Sequence, residues 1–246
     1  MVTFNNAGRF GNWFFECCTA LAYSLKHGLD FSMPDGKGKD QFYHPVYCKH
    51  LINPNYDRSL EEVRLWESRH DYQELPFEEA WRGKNIIIEG YRQSAKYFDD
   101  YRGEILYLLD IPYVRKEGYV AVHVRRGDYL HLTMKHPPVS KEWYENAMSR
   151  FVNYRFKFYS DDIKWCRQEF GNRSDCEFSD GNSVEQDIAD GASCEHQIIS
   201  ASTFGWAMAW LNRNKDKIIY LPEKWFVDGW DNTETKDIVP QEWSKI

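Results

Sequence analysis

The chain has 246 residues, enough for one large or two small domains. A hydrophobic content of 42% supplies a buried core and excludes a disordered chain. The net charge of −7, with no long basic run, argues against nucleic acid as a partner but not against an anionic small molecule held by one arginine.

Ten Trp and sixteen Tyr exceed the ordinary needs of a core, and planar side chains with a polar edge also stack on sugars and bases. The cysteines at 17, 18, 48, 166, 176 and 194 form no C-x-x-C pair and match neither a zinc site nor a disulfide framework, so free thiols are expected. No basic segment followed by an apolar one opens the chain, and no apolar run reaches the ~18 residues of a spanning helix. A cytoplasmic protein without a membrane span is the expectation.

In chain order, residues 3–11 hold a short strand and a glycine loop. Asn12–Lys26 reads as a helix, with Phe14, Phe15, Cys18, Leu21, Ala22 and Leu25 at three- and four-residue spacing and Gly28 as its stop. Residues 30–84 are interrupted by Pro34, Pro45, Pro54 and Pro76 and read as loops and short helices. Asn85–Glu89 is a buried strand and Lys96–Leu109 a helix ended before Pro112. Beyond Gly118 strands and helices alternate: strand Tyr119–Val124, helix Lys141–Phe151 capped by Ser140, strand Arg155–Ser160, helix Asp161–Phe170, strand Cys176–Phe178, helix Val184–Ser193, strand Gln197–Ile199, helix Ser202–Leu211 and strand Lys217–Leu221. That order implies a parallel, doubly wound sheet, whose ligands bind beyond the carboxyl ends of the strands. The boundary between an N-terminal domain, 1–115, and a C-terminal one, 116–246, falls near 112–118.

Four segments occupy those positions. In His123-Val124-Arg125-Arg126-Gly127-Asp128-Tyr129, alternation sets His123 and Arg125 on one face, and a guanidinium past the strand end matches the oxygens of a diphosphate. Asp128 orients Arg126 or acts as a base; the plainer reading is a structural Arg–Asp pair in a turn. Tyr159-Ser160-Asp161-Asp162 ends a strand and opens a helix, with Ser160 or Asp161 as N-cap and a metal the less favoured reading. His196–Trp206 ends in Ser200-Ala201-Ser202-Thr203 at a helix start, where free N–H groups and hydroxyls bind phosphate or simply cap the helix. Gly8-Arg9-Phe10-Gly11-Asn12 allows close backbone approach and is neither G-x-G-x-x-G nor a Walker motif.

Together and in this order, the four segments resemble the fucosyltransferase superfamily, most closely glycosyltransferase family 11. Pro222–Phe226 and Ile238–Trp243 also resemble family 11 endings, and the glycine segment resembles the protein O-fucosyltransferase version. The resemblance implies an α/β, GT-B-like fold, two Rossmann-like halves with parallel sheets facing a cleft. It implies inverting, metal-independent transfer of fucose from GDP-fucose to a glycan hydroxyl, with no cofactor. It gives Arg125 the diphosphate, sets His123 and Asp187 against the guanine nucleotide, sets Ser202, Thr203 and Phe204 around phosphates and base, places Gly11 and Asn12 on the cleft, and leaves Asp128 as candidate base. The chain departs from the pattern at Ala201 (Asn), Gly205 (Ser) and Ala207 (Trp), at Asp190 and Gly191, and in its opening Ala-Gly-Arg-Phe-Gly-Asn-Trp. Transfer from another nucleotide sugar, or glycan binding without catalysis, are the alternatives.

Overall fold

The computed structural model describes residues 1–5, 8–34, 47–227 and 236–246. They divide into two units, Met1–Ile111 with Glu234–Pro240, and Pro112–Thr233 with Gln241–Ile246. The return over 234–240 is announced by no sequence signal.

The first unit is built on three parallel strands: β1 (Val2–Phe4), β2 (Glu62–Leu65) and β3 (Asn85–Ile88), in the order β1–β3–β2. Strand β3 is buried along its length, as befits a central strand. Helix α1 (Phe10–His27) follows β1 and is buried nearly all round from Phe10 to Ser24, so it serves as the core of this unit rather than its surface. The helix ends where Gly28 takes a left-handed conformation. Strand β2 lies inside the stretch expected to be irregular; it is an edge strand with only Leu65 buried, and so lacks the apolar alternation that reveals strands. Helix α2 (Arg102–Leu109) is shorter than expected. Its first part is replaced by two 3₁₀ turns around Phe98, whose ring packs edge-on against Phe14 and Phe15.

The second unit holds a six-stranded parallel sheet. Its strands are β4 (Lys116–Val124), β5 (Arg155–Ser160), β6 (Cys176–Phe178), β7 (Cys194–Ile199), β8 (Ile219–Leu221) and β9 (Ser244–Lys245), ordered β6–β5–β4–β7–β8–β9. Helices α3 (Lys141–Met148), α4 (Ile163–Phe170), α5 (Val184–Ser193) and α6 (Thr203–Leu211) connect them. The expected strand–helix alternation and parallel sheet are present; the two-residue β9, exposed at the edge, carries no pattern. On one face of β4, Val120, Val122 and Val124 join Tyr144, Met148, Phe156, Phe158 and Phe170 in a single core. On the other face His123 meets Phe204 of α6. All six cysteines are free.

Residues 190 and 191, unusual for a helix packed on a sheet, have distinct physical roles. A Cβ on Gly191 would lie 2.4 Å from the Met208 sulfur, so glycine permits the close contact of α5 and α6. Asp190 accepts hydrogen bonds from Lys116, from Lys157 (2.7 Å) and from the Tyr159 hydroxyl (2.5 Å). Burial alone would push this carboxyl up, but the hydrogen bonds from Lys116, Lys157 and Tyr159 bring it from 3.8 down to about 2. Its stabilisation is therefore complete above pH 3.8 and is lost as pH falls through about 2. Asp190→Asn is expected to lower unfolding free energy at neutral pH by about 1–3 kcal/mol, seen as a lower urea midpoint. The gap from the parent protein should narrow steadily once the pH falls below about 4.

Candidate functional site

Parallel pairing aligns Val124 with Ser160 and His123 with both Tyr159 and Ile199. The three segments that follow β4, β5 and β7 therefore emerge side by side at the carboxyl ends of the strands, where open α/β sheets bind ligands. Strand β4 stops at Val124, so alternation no longer dictates where Arg125 points.

Arg125 is held at both ends. Its backbone N–H donates to Ser200 Oγ (3.1 Å). Its guanidinium, 13% exposed, pairs with Asp128 (2.6 Å) and Asp161 (2.9 Å) and lies 5.4 Å from the Tyr129 ring centroid. Asp161 is itself fixed. Its Oδ1 accepts the Arg126 backbone N–H (2.9 Å), and its Oδ2 sits 2.4 Å from where a Gly127 Cβ would stand, so the turn admits no side chain at 127. The Arg126 guanidinium carbon lies over Trp165, 4.0 Å from its ring centroid, and its Nε reaches Asp162 at 3.3 Å.

Two expectations need correction. The cap of α4 is Asp162, which accepts the Trp165 backbone N–H, and not Ser160 or Asp161. Asp128 pairs with Arg125 and not Arg126, because the Arg126 side chain goes to the α4 side of the turn. Two guanidiniums thus face three carboxylates, +2 against −3, a local balance of −1.

His123 is buried, its Nδ1 lies 3.0 Å from Ser200 Oγ, and its ring lies 5.2 Å from Phe204. A hydroxyl accepts twice and donates once. Ser200 accepts from the Arg125 N–H, so donating to Nδ1 satisfies both groups and leaves the imidazole proton on Nε2. Burial, aided by the neighbouring Arg125 charge, pushes this histidine down to about 3. A Cβ at Gly205 would stand 2.6 Å from Nδ1, so the ring occupies the space a side chain at 205 would need.

Ser202 is the N-cap residue of α6 and buried, without a side-chain cap hydrogen bond; Thr203 and Phe204 form its first turn. Asp187, in the first turn of α5, accepts from Ser179 Oγ (2.6 Å) and Asn182 (3.3 Å). Burial pushes its carboxyl up against the pull of those hydrogen bonds. Gly11 and Asn12 belong to the other unit, in α1, where Asn12 accepts from Gln93 at 3.1 Å. Next to Arg125, the Tyr129 ring stacks on His136 (4.0 Å, 10°) and its hydroxyl donates to the Ala201 carbonyl. Among the described residues no group of three or more His, Cys, Asp or Glu is placed to hold a metal ion, and no helix is long and apolar enough to cross a membrane.

Sequence reasoning missed Asp161, Gly127, Ser200 and Tyr129. The first has a signal, its adjacency to Asp162, but that pair suggests a metal and Asp161 by itself suggests a helix cap rather than a partner for arginine. Ser200 had none, since its role depends on the pairing of β4 with β7.

A family model described as glycosyl transferase family 11 matches residues 107–246. The chain is similar to the O-antigen biosynthesis glycosyltransferase WbnK of Escherichia coli, 31% identical over 48% of this chain and 42% of that protein. It is similar to an alpha-1,2-colitosyltransferase of Escherichia coli, 29% identical over 66% of this chain and 63% of the relative. It also matches galactoside alpha-(1,2)-fucosyltransferase 2 of Sus scrofa, 28% identical over 84% of this chain and 68% of the relative. The chain thus spans less than two thirds of the first two relatives. A solved structure of POFUT1 in its apo form shares the fold, with a TM-score of 0.51 and 10% identity over 89% of this chain and 97% of that chain. The α/β, GT-B-like fold class is accordingly the one observed.

The His123 value sets a pH dependence. Its folded form resists protonation between its ordinary 6.5 and about 3, so stability is complete above pH 6.5 and declines as pH falls through that window. His123→Gln should flatten this part of the profile, measured as melting temperature against pH.

Proposed function

Because the chain belongs to glycosyl transferase family 11, we propose that it is an inverting, metal-independent transferase that moves fucose from GDP-fucose to a hydroxyl of a galactoside. The observation that carries the reading is Arg125: a permanent cation at the carboxyl end of the central strand, held at its backbone by Ser200 and at its guanidinium by two aspartates. In the displacement, the acceptor oxygen forms a bond to sugar C1 as the C1–O bond to the β-phosphate breaks. The electron pair goes to the phosphate oxygen, and an oriented guanidinium stabilises the growing charge.

The two aspartates differ. Asp161 is pinned by the Arg126 N–H and packed against Gly127. Asp128 is 44% exposed and pairs with the guanidinium from within the same turn. With a local balance of −1, a diphosphate binds by taking the place of Asp128 on the guanidinium. The released carboxylate is then the candidate base for the acceptor's proton. Neutral His123 and Phe204, Asp187 with its neighbours, and the hydroxyls of Ser202 and Thr203 supply the remaining donor contacts in this reading. Asp161 and Asp162 are already committed to arginines and backbone N–H groups, which supports a mechanism in which arginine rather than a metal carries the charge.

GDP should raise the melting temperature of the parent protein. Arg125→Ala should abolish that rise and lower transfer by at least ~100-fold, with EDTA leaving the parent unaffected. Asp128→Asn should strengthen GDP binding while lowering transfer by about 100-fold. Unchanged transfer in Arg125→Ala would dismiss the assignment.

The similarity to a colitosyltransferase favours one second reading, a different deoxyhexose on the same nucleotide. A screen of GDP-sugars, scored by GDP release with and without acceptor, should show fucose turned over fastest; preference for another sugar would replace the donor and leave the Arg125 chemistry intact.

A further inference from the structure

Besides Asp128 and Asp161, Arg125 has a third partner, and it carries no charge. Tyr129 directly follows Asp128 in a 3₁₀ turn, and the Arg125 guanidinium carbon lies over its ring, 5.4 Å from the centroid. The ring is held at two places. Its hydroxyl donates to the Ala201 carbonyl (3.1 Å), and it stacks on the His136 imidazole with centroids 4.0 Å apart and planes at 10°. His136 is held in turn. Its backbone N–H donates to the Leu132 carbonyl (2.8 Å), and its ring meets that of buried Phe226 at 5.2 Å. A further backbone bond, from the Val227 N–H to the Lys135 carbonyl (3.0 Å), ties the two segments together. The Pro222–Phe226 ending thus supplies a ring that packs on His136.

His136 is placed to stay uncharged. Its Nδ1 is buried with no hydrogen-bond partner among the described residues, so a proton there would be a buried charged N–H without an acceptor. Burial, with the charges of Lys135 and Arg125 against the pull of Asp128, pushes the imidazole down to about 4. At neutral pH it therefore gives Tyr129 an aromatic surface and adds no cation beside Arg125. Carboxylates and rings hold a guanidinium differently. A carboxylate orients it but repels an incoming diphosphate. The face of a ring attracts the cation through its quadrupole and brings no net charge. Once a diphosphate takes the place of Asp128, Asp161 and the Tyr129 ring are the partners left to Arg125.

We propose that Tyr129 and His136 are positioning residues for Arg125: the Tyr129 ring, braced by the imidazole, keeps the guanidinium aimed at the diphosphate after Asp128 has left it. The proposal rests on the exchange of Asp128 for a diphosphate in the transferase reading above. Inorganic pyrophosphate undergoes the same exchange without a nucleoside, which separates the positioning of Arg125 from the identity of the donor.

The test is calorimetric titration of the full chain with GDP and, separately, with inorganic pyrophosphate, well below the melting temperature of every variant. Tyr129→Leu and His136→Ala should each weaken both ligands by about fivefold. His136→Phe keeps a ring to stack and should bind within about twofold of the parent. The loss from Tyr129→Leu should grow in an Asp128→Asn background, where one carboxylate no longer helps to orient the guanidinium. A ring that only packs the turn would lower the melting temperature equally in both backgrounds and leave affinity alone. Equal affinities in the parent, Tyr129→Leu and His136→Ala, or a loss in His136→Phe as large as that in His136→Ala, overturns the proposal. A parent that binds pyrophosphate but not GDP would instead strike the donor reading, with the positioning still decided by the pyrophosphate affinities. Binding of neither ligand would strike both.

Discussion

The carboxylate of Asp161 is the contact around which the second unit's turn is arranged. One oxygen takes the Arg126 backbone N–H and the other takes the Arg125 guanidinium. Both bonds depend on the turn coming within reach of β5, and the bare Cα of Gly127 allows that approach. The consequence is that two adjacent arginines, which repel one another, are separated: Arg125 toward Asp128 and Asp161, Arg126 toward Trp165 and Asp162. A partly buried cation with two anionic partners keeps one orientation without ligand, and orientation in advance is what electrostatic stabilisation of a leaving group requires.

The same economy appears one strand away. Ser200 joins the ends of β4 and β7 through its backbone N–H to the His123 carbonyl and its hydroxyl to Arg125 N and His123 Nδ1. The ring thereby fixed fills the volume left by Gly205. Positions 200, 205 and 123 are thus one packing decision, since the imidazole occupies the space that a side chain at 205 would need.

In the first unit, charge is used differently. Glu67 and Arg92 secure a turn through backbone groups, whereas Arg125 and Arg126 pair with carboxylates beyond the strand ends. Both units, however, place a turn braced by charged side chains just past a central parallel strand, β3 or β4, where the sheet supplies rigidity and the loops supply chemistry.

The parallel α/β class, most strands and helices, and the segments that converge were legible in the sequence, because buried parallel strands read as unbroken apolar runs and the helices carry an apolar period, with side-chain caps on α3, α4 and α5. Edge strands β2 and β9 were not, since exposed edges have no hydrophobic pattern to read. Arg125 could be named from its place after a strand, as could Asp128 and an Arg–Asp pair within that turn, but not which of the two arginines makes the pair. That Asp161 leaves the capping to Asp162 and Ser200 binds His123 follows from register, which brings residues 35 and 77 positions apart within 3.1 Å. Local sequence sets propensity, charge and periodicity; only the pairing of strands decides which side chains share a strand end, because that choice is made by long-range packing and not by neighbours along the chain.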